Sequence, residues 1–282
     1  MRREKKIYLC SFASPDLKRS ILRFKNQASK INTYKNIKVY GYDDLSSEKK
    51  NQINNFKKNN KIRLFGYGCW KAEIINDFIK IIPKDAILQY SDIGCHLNIK
   101  GEKKLLEYYD LTVEHDILAF QYKKPKFDFT DLKYQIYYEY ENTKSDLFNY
   151  FNLDLKSEVS KTEQFWSGSV FFKNNEKSKI FLKKWMDISK IDHLIDDDIS
   201  KIENHKNFKE HRHDQSVFSL ICKLHKVYSI SVSEAEWAEN NNGRVWSHLE
   251  NYPILAKRDK KYNLLTRFIN RQKKNINRLF KK

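Results

Sequence analysis

The stretch Ala86-Ile87-Leu88-Gln89-Tyr90-Ser91-Asp92-Ile93-Gly94-Cys95-His96 decides how this chain is read. Ala86 to Tyr90 form a short, nearly continuous apolar run, the pattern of a strand buried on both faces. The run passes directly into Ser91-Asp92, so a carboxylate stands at a strand end. In open α/β sheets ligands bind in the crevice beyond the carboxyl ends of the strands. A carboxylate there is placed to ligate a divalent cation that neutralises a diphosphate, or else it caps the loop.

Working outward, short apolar runs alternate with helical patterns, which predicts an α/β fold with a largely parallel sheet. Lys6 to Phe12 reads as a first buried strand and Ser20 to Lys30 as a helix. Ile37 to Tyr40 is a second strand, Asp44 to Lys58 a polar surface helix, and Lys71 to Ile82 a strongly periodic helix. Further strands are expected at Asp116–Phe120, Ser167–Phe172 and Lys226–Ile230, with helices at Ser178–Ile188 and Asp214–Leu224. Residues 122–164 are aromatic, charged and irregular, and read as a variable lobe.

The composition narrows the class. The chain has 282 residues, 40% hydrophobic and 14% aromatic, with 7 Gly and 4 Pro, so it is a folded globular chain rather than a disordered or collagen-like one. No run approaches the roughly 18 apolar residues of a membrane-spanning helix, and Met1 to Lys6 begin no apolar signal segment, which points to a cytosolic start. Cys10, Cys69, Cys95 and Cys222 form no CxxC pair and are expected to be reduced and mostly buried.

Three further segments carry chemistry. Phe65-Gly66-Tyr67-Gly68-Cys69-Trp70-Lys71-Ala72 is a Gly-rich turn opening a helix. Its helix N-terminus and Lys71 suit an anion, although the segment lacks the Walker and dinucleotide spacings; the alternative is a tight turn around a packed Trp70. Gln164-Phe165-Trp166-Ser167-Gly168-Ser169 offers an aromatic ring and polar groups that suit a sugar, or core packing for Trp166. In His211-Arg212-His213-Asp214-Gln215-Ser216, the histidines are open to metal binding, and Asp214 is either a functional carboxylate or a helix-opening residue stabilised by the dipole.

In this order the segments resemble bacterial glycosyltransferases of the GT-A fold, the kind encoded with capsule and lipopolysaccharide O-antigen enzymes. The resemblance runs from about Lys6 to Leu220 and rests on Gly66-Tyr67-Gly68-Cys69-Trp70-Lys71, Tyr90 to Cys95, Trp166-Ser167-Gly168 and Arg212 to Ser216. It implies a GT-A-like (Rossmann-like) domain over residues 1–256, with residues 122–164 on the acceptor side. It also implies transfer of a sugar from a nucleotide donor, a UDP-sugar above all, to a hydroxyl of a lipid-linked glycan.

On that resemblance Ser11, Phe12 and Ala13 face the base and ribose, assisted by Asp43 or Asp44, with Trp70, Lys71, Ser91 and Asp92 completing the donor side. Gln164, Trp166, Ser167, Gly168, His213, Asp214 and Gln215 lie toward the acceptor or transferred sugar, with Asp214 as general base or as a ligand of a sugar hydroxyl. Asp92 matches the first Asp of the Asp-x-Asp motif that holds Mn or Mg. Gly94 stands at the second Asp position, which leaves His96 or His248 to complete a site.

The net charge of +18 is unevenly spread. Lys257 to Lys282 hold eleven bases and one acid, +10 of the total. Leu264, Leu265, Phe268, Ile269, Ile276, Leu279 and Phe280 fall on roughly one face, which predicts a basic amphipathic helix. Such a tail fits an anionic membrane surface, placing the protein in the cytoplasm at the inner face of the inner membrane; the alternative is a helix that packs on the domain. Nucleic-acid binding is the main non-enzyme alternative. Against it, the bases concentrate in one tail and no recognised binding motif occurs. A catalytically inactive scaffold on the same fold is the third reading.

Overall fold

The computed structural model describes residues 5–59, 63–125 and 131–257. The basic helix expected within residues 257–282 lies outside them, apart from Lys257. Six strands make one sheet: β1 (Ile7–Phe12), β2 (Tyr34–Tyr40), β3 (Ile87–Ser91), β4 (Ile117–Gln121), β5 (Phe165–Lys173) and β6 (Tyr228–Ser231). Their order is β2-β1-β3-β5-β4-β6. Only β5 runs antiparallel to its neighbours, so the sheet is mixed and mostly parallel, as the alternating pattern predicts.

The strands read as apolar runs because both faces are covered. Along β1, Ile7 and Leu9 pack into one layer with Phe24 and Ala28 of α1 (Lys18–Ala28). Cys10 and Phe12 pack into the other, with Ile75 and Phe78 of α2 (Lys71–Ile81). Helix α3 (Glu102–His115) lies on the α1 side through Leu105 and Tyr108. Helices α4 (Glu176–Ser189) and α5 (Asp214–Leu224) lie on the α2 side through Phe181, Trp185, Val217 and Phe218. The result is helices on both faces of one sheet.

This topology fixes where a site belongs. From β1 the chain crosses through α1 to β2, then returns to the other side of β1 to form β3. The order therefore reverses between β1 and β3, and a crevice opens at that switch point. Because β5 is antiparallel, its first residues lie at the same edge of the sheet as the last residues of β3, with Ser91 paired to Ser169. The pairing of β5 with β4 jumps from Val170 to Trp166, so Ser167, Gly168 and Ser169 bulge out of that ladder. The backbone amide of Asp92 then binds the Gly168 carbonyl at 2.8 Å, tying the end of β3 to the bulge.

The lobe expected at 122–164 is irregular where described, with short helical turns at Glu139–Asn142, Ser145–Tyr150 and Glu158–Lys161. No helix among the described residues is long and apolar enough to cross a membrane.

Candidate active site

A cleft of about 440 Å³ opens at this switch point, between the end of β1, the turn after β3, the bulge of β5 and the N-termini of α2 and α5. Lys71, the first residue of α2, points into its base with only 6% of the side chain exposed. Its ammonium lies 2.7 Å from Asp214 Oδ2 and 3.3 Å from Asp92 Oδ1. It also donates to the Ser167 hydroxyl at 3.2 Å and the Ser167 carbonyl at 3.3 Å. Burial alone lowers the pKa of this amine, but the carboxylates of Asp214 and Asp92 outweigh burial and hold it above the ordinary lysine value. Lys71 is therefore a fixed cation.

The two carboxylates differ. Asp214 opens α5, is 5% exposed, and accepts from Lys71 and from the Ser167 hydroxyl at 2.8 Å. Asp92 is 42% exposed; its Oδ1 takes the Tyr90 hydroxyl at 2.5 Å as well as Lys71, which leaves Oδ2 toward the cleft. The close approach of Asp214 requires glycine at 68, where φ is +74° and a Cβ would fall 2.7 Å from the Asp214 carboxyl carbon. Gly68 ends a left-handed turn, since Leu64, Phe65, Gly66 and Tyr67 also have positive φ. The Gly-x-Gly segment thus wraps Phe65 onto the cleft wall.

That wall is aromatic. Phe12 and Trp70 stack with ring centroids 3.8 Å apart, and Phe65 lies 5.9 Å from Phe12. The Trp166 indole folds over Gly168, where a Cβ would come within 2.3 Å of it, and stands edge-on to Phe120. Trp166, Phe12 and Trp70 are 5%, 2% and 7% exposed, so all three belong mainly to the core, and the partly buried Phe65 is the ring among them with the most open face.

Of the residues expected at a site, Phe12, Trp70, Lys71, Asp92, Trp166, Ser167, Gly168, His213, Asp214 and Gln215 line this one cleft. The others lie off its surface. Ser11 and Ala13 are buried in the sheet layers, and the Ser91 hydroxyl is spent on Ser169 at 2.9 Å. Gln164 is fully buried behind Gln215 and bonded to it. The Asp44 carboxylate caps its own turn by accepting from the Gly41 amide at 2.7 Å, and the Asp43 carbonyl accepts from Lys50. His96 faces Gln27.

The histidines serve the fold. His211 Nδ1 accepts from the Lys144 amide at 3.3 Å, so its Nε2 donates to the Leu194 carbonyl at 2.9 Å. His213 binds the Ile195 carbonyl through Nδ1 at 2.8 Å and lies against the Tyr67 ring. Both are bolts for residues 194–195, and burial first of all pushes their pKa values down. His248 binds the Glu236 carbonyl and stands edge-on to Tyr134, away from the cleft, so it does not join Asp92.

These placements bear on a metal. A divalent cation needs several oxygen ligands, and Gly94 supplies no carboxylate where a second Asp would stand. Asp92 offers one free oxygen, with the Lys71 ammonium already on the other. Among the described residues no three His, Cys, Asp or Glu side chains converge on a common point. The described residues do not build a protein-held metal site; a fixed ammonium stands between the carboxylates instead.

Sequence reasoning missed Arg63 and Glu210 at the rim, and assigned no role to Arg212 within its quoted segment. Arg63 pairs with Glu210 at 3.1 Å, and the Arg212 guanidinium stacks 3.6 Å from the Tyr137 ring centroid. Arg63 stands just before the Gly-rich turn, and that adjacency was the one available signal.

No family model and no curated protein matches the chain. Similar solved structures include the apo form of the glycosyltransferase GlyE of Streptococcus pneumoniae TIGR4, 12% identical over 82% of this chain and 46% of that one, TM-score 0.38. The chain spans under half the length of that protein. Mouse xyloside xylosyltransferase 1 is 11% identical over 84% of this chain and 76% of that one, TM-score 0.40. A 4-diphosphocytidyl-2C-methyl-D-erythritol synthase of Anaerococcus prevotii DSM 20548 is 9% identical over 81% and 87%, TM-score 0.37.

Proposed function

We propose that the chain is a glycosyltransferase that moves a sugar from a nucleotide-sugar donor to an acceptor hydroxyl in this cleft. The observation that carries the reading is the cluster of Lys71, Asp92 and Asp214 beneath an aromatic wall at the switch point of the sheet. The partly exposed Phe65 ring, backed by Phe12 and Trp70, suits a base or a sugar face, and the carboxylates accept from sugar hydroxyls. The first turn of α2, with Lys71, and the half-exposed Arg63 at the rim supply positive ends for a diphosphate leaving group.

The unequal carboxylates divide the work. Asp214, held by Lys71 and Ser167, is an anchor that fixes the ammonium. Its Oδ2 is already occupied by the Lys71 ammonium and the Ser167 hydroxyl, and the side chain is almost fully buried. Asp92, with one oxygen free and partly exposed, is the carboxylate that meets substrate. On this reading the donor binds without a protein-held metal. The donor is a UDP-sugar and the acceptor a lipid-linked glycan of capsule or lipopolysaccharide type. The basic tail holds the enzyme at an anionic membrane surface.

Calorimetric titration with UDP, GDP and CMP, on the wild type and on Asp92→Asn, tests the reading. Selective binding of one nucleotide, weakened at least tenfold in the variant when its nucleotide sugar is used, is expected. Absence of binding by all three would sink the donor site and favour the scaffold or the nucleic-acid reading.

A further inference from the structure

We propose that buried Glu139 and Gln164 orient Gln215 so that its side-chain carbonyl faces the cleft as a hydrogen-bond acceptor that selects a hydroxyl of the bound sugar. The inference rests on the glycosyltransferase reading and adds to it a specificity residue and two positioning residues.

Glu139 is fully buried within the otherwise irregular lobe. Its Oε1 is paired with the Lys223 ammonium at 2.6 Å and also takes the Ser219 hydroxyl. Its Oε2 accepts from the Thr143 hydroxyl at 2.6 Å. A buried carboxylate paired in this way only accepts hydrogen bonds. One end of the Gln164 amide lies 3.2 Å from Glu139 Oε2 and 3.2 Å from the Asn142 carbonyl, two groups that only accept. That end must be the NH₂, since the reversed amide would set its oxygen against two acceptors. The Gln164 carbonyl is thereby turned toward Gln215.

The 2.9 Å contact between the two side chains is then an N–H of Gln215 donating to the Gln164 carbonyl. Gln215 has no choice of orientation. Its own side-chain oxygen is the remaining polar end, and among the described residues no donor reaches it. Gln215 lines the cleft beside Asp214. A carboxylate buried well behind the surface thus decides that the wall offers an acceptor rather than a donor. With the free oxygen of Asp92, the cleft presents acceptors to a ligand, and a sugar hydroxyl is the donor that matches them. A site built to hydrogen-bond a hydroxyl rejects an analogue that lacks the proton, because its own group is left unpaired.

The test uses monodeoxyfluoro analogues of the tightest-binding member of a panel of UDP-, GDP- and CMP-sugars, titrated calorimetrically into the full chain. Fluorine keeps the size of a hydroxyl and can accept, but has no proton to give. In the wild type, fluorine at one ring position is expected to weaken binding about tenfold, in line with one lost hydrogen bond. In Gln215→Met, which keeps the length without the amide, parent and fluoro analogue should bind within about twofold of each other. Glu139→Gln, which lets the Gln164 amide reverse, should narrow the ratio in the same way, and a purely structural role would leave that ratio alone. If Glu139→Gln does not fold, Gln215→Met still decides. Wild-type binding that is indifferent to fluorine at every position, or an undiminished ratio in Gln215→Met, overturns the inference while leaving the donor site standing. Failure of every nucleotide sugar to bind removes the donor reading itself.

Discussion

The Lys71 ammonium and the Asp214 carboxylate, 6% and 5% exposed, face each other at 2.7 Å across the base of the cleft. Neither is stable there alone, because a charge that loses its partner in a buried site keeps its desolvation penalty. Lys71→Met should therefore destabilise the fold by about 3–5 kcal/mol, the usual cost of stranding one member of a buried pair. Asp214→Asn should cost less, because Lys71 retains Asp92 and Ser167. Urea unfolding of both variants checks this, and equal or negligible losses would show that the pair does not carry the site.

Acid should weaken the fold through its buried histidines. The pKa of His211 is pushed well below 6.5, chiefly by burial and then by His213 and Lys144. A depressed value means that the unfolded chain takes up the proton first. The stabilisation is complete above pH 6.5 and drains away as the pH falls through the folded value. Each such histidine contributes a slope of at most about 1.4 kcal/mol per pH unit. His211→Gln should flatten the loss of stability between pH 6.5 and 5, measured by urea midpoints at each pH. An unchanged slope would assign the titration elsewhere.

What the sequence disclosed follows from how local each signal is. The strand ending at Asp92 was legible because a run buried on both faces is apolar throughout, and Lys71 and Asp214 because each opens a periodic helix. Helix α3 is poorly legible in the sequence because its buried stripe is Leu105, Tyr108 and Thr112, and Thr blurs the period. The left-handed course of the turn is not legible in the sequence, because Leu64, Phe65 and Tyr67 take positive φ against their own preference. Asp43 and Asp44 enter as site residues only through the resemblance, and Asp44 spends its carboxylate on its own turn. Glu139 was invisible, since its partners Ser219 and Lys223 lie 80 and 84 residues away.

Gly68→Ala tests how tightly the turn is fitted to the site. The new Cβ would meet the Asp214 carboxyl at 2.7 Å, and alanine resists φ of +74°. A loss of about 1–3 kcal/mol in stability is expected. Because the clash falls on Asp214, nucleotide binding should fall further than the stability loss explains under conditions where the variant remains folded. A folded variant with wild-type affinity would uncouple the turn from the cleft.

The tail, which lies beyond the described residues apart from Lys257, has its own test. Deleting residues 262–282 should release the protein from vesicles containing anionic lipid while leaving nucleotide affinity unchanged. Each base near such a surface contributes about 1 kcal/mol, so the loss of partition should be large and salt-sensitive. Unchanged co-sedimentation with vesicles would remove the membrane role.

The charge at the cleft base makes the metal question decidable. A divalent cation approaching the free oxygen of Asp92 meets the Lys71 ammonium 3.3 Å from the other oxygen of the same carboxylate. That ammonium cannot leave cheaply, because Asp214 holds it at 2.7 Å. Repulsion between the two cations offsets much of what the single carboxylate offers, and Gly94 adds no side-chain ligand. Manganese should therefore change the affinity for the preferred nucleotide by less than about threefold, or 0.7 kcal/mol, and EDTA should leave binding intact. In Lys71→Met, studied in conditions where it remains folded, the obstacle is gone and two carboxylates face the space it filled. Nucleotide binding there should become manganese-dependent. A wild type whose binding requires manganese, with no further dependence gained in the variant, would show that the ammonium and the metal are partners rather than alternatives.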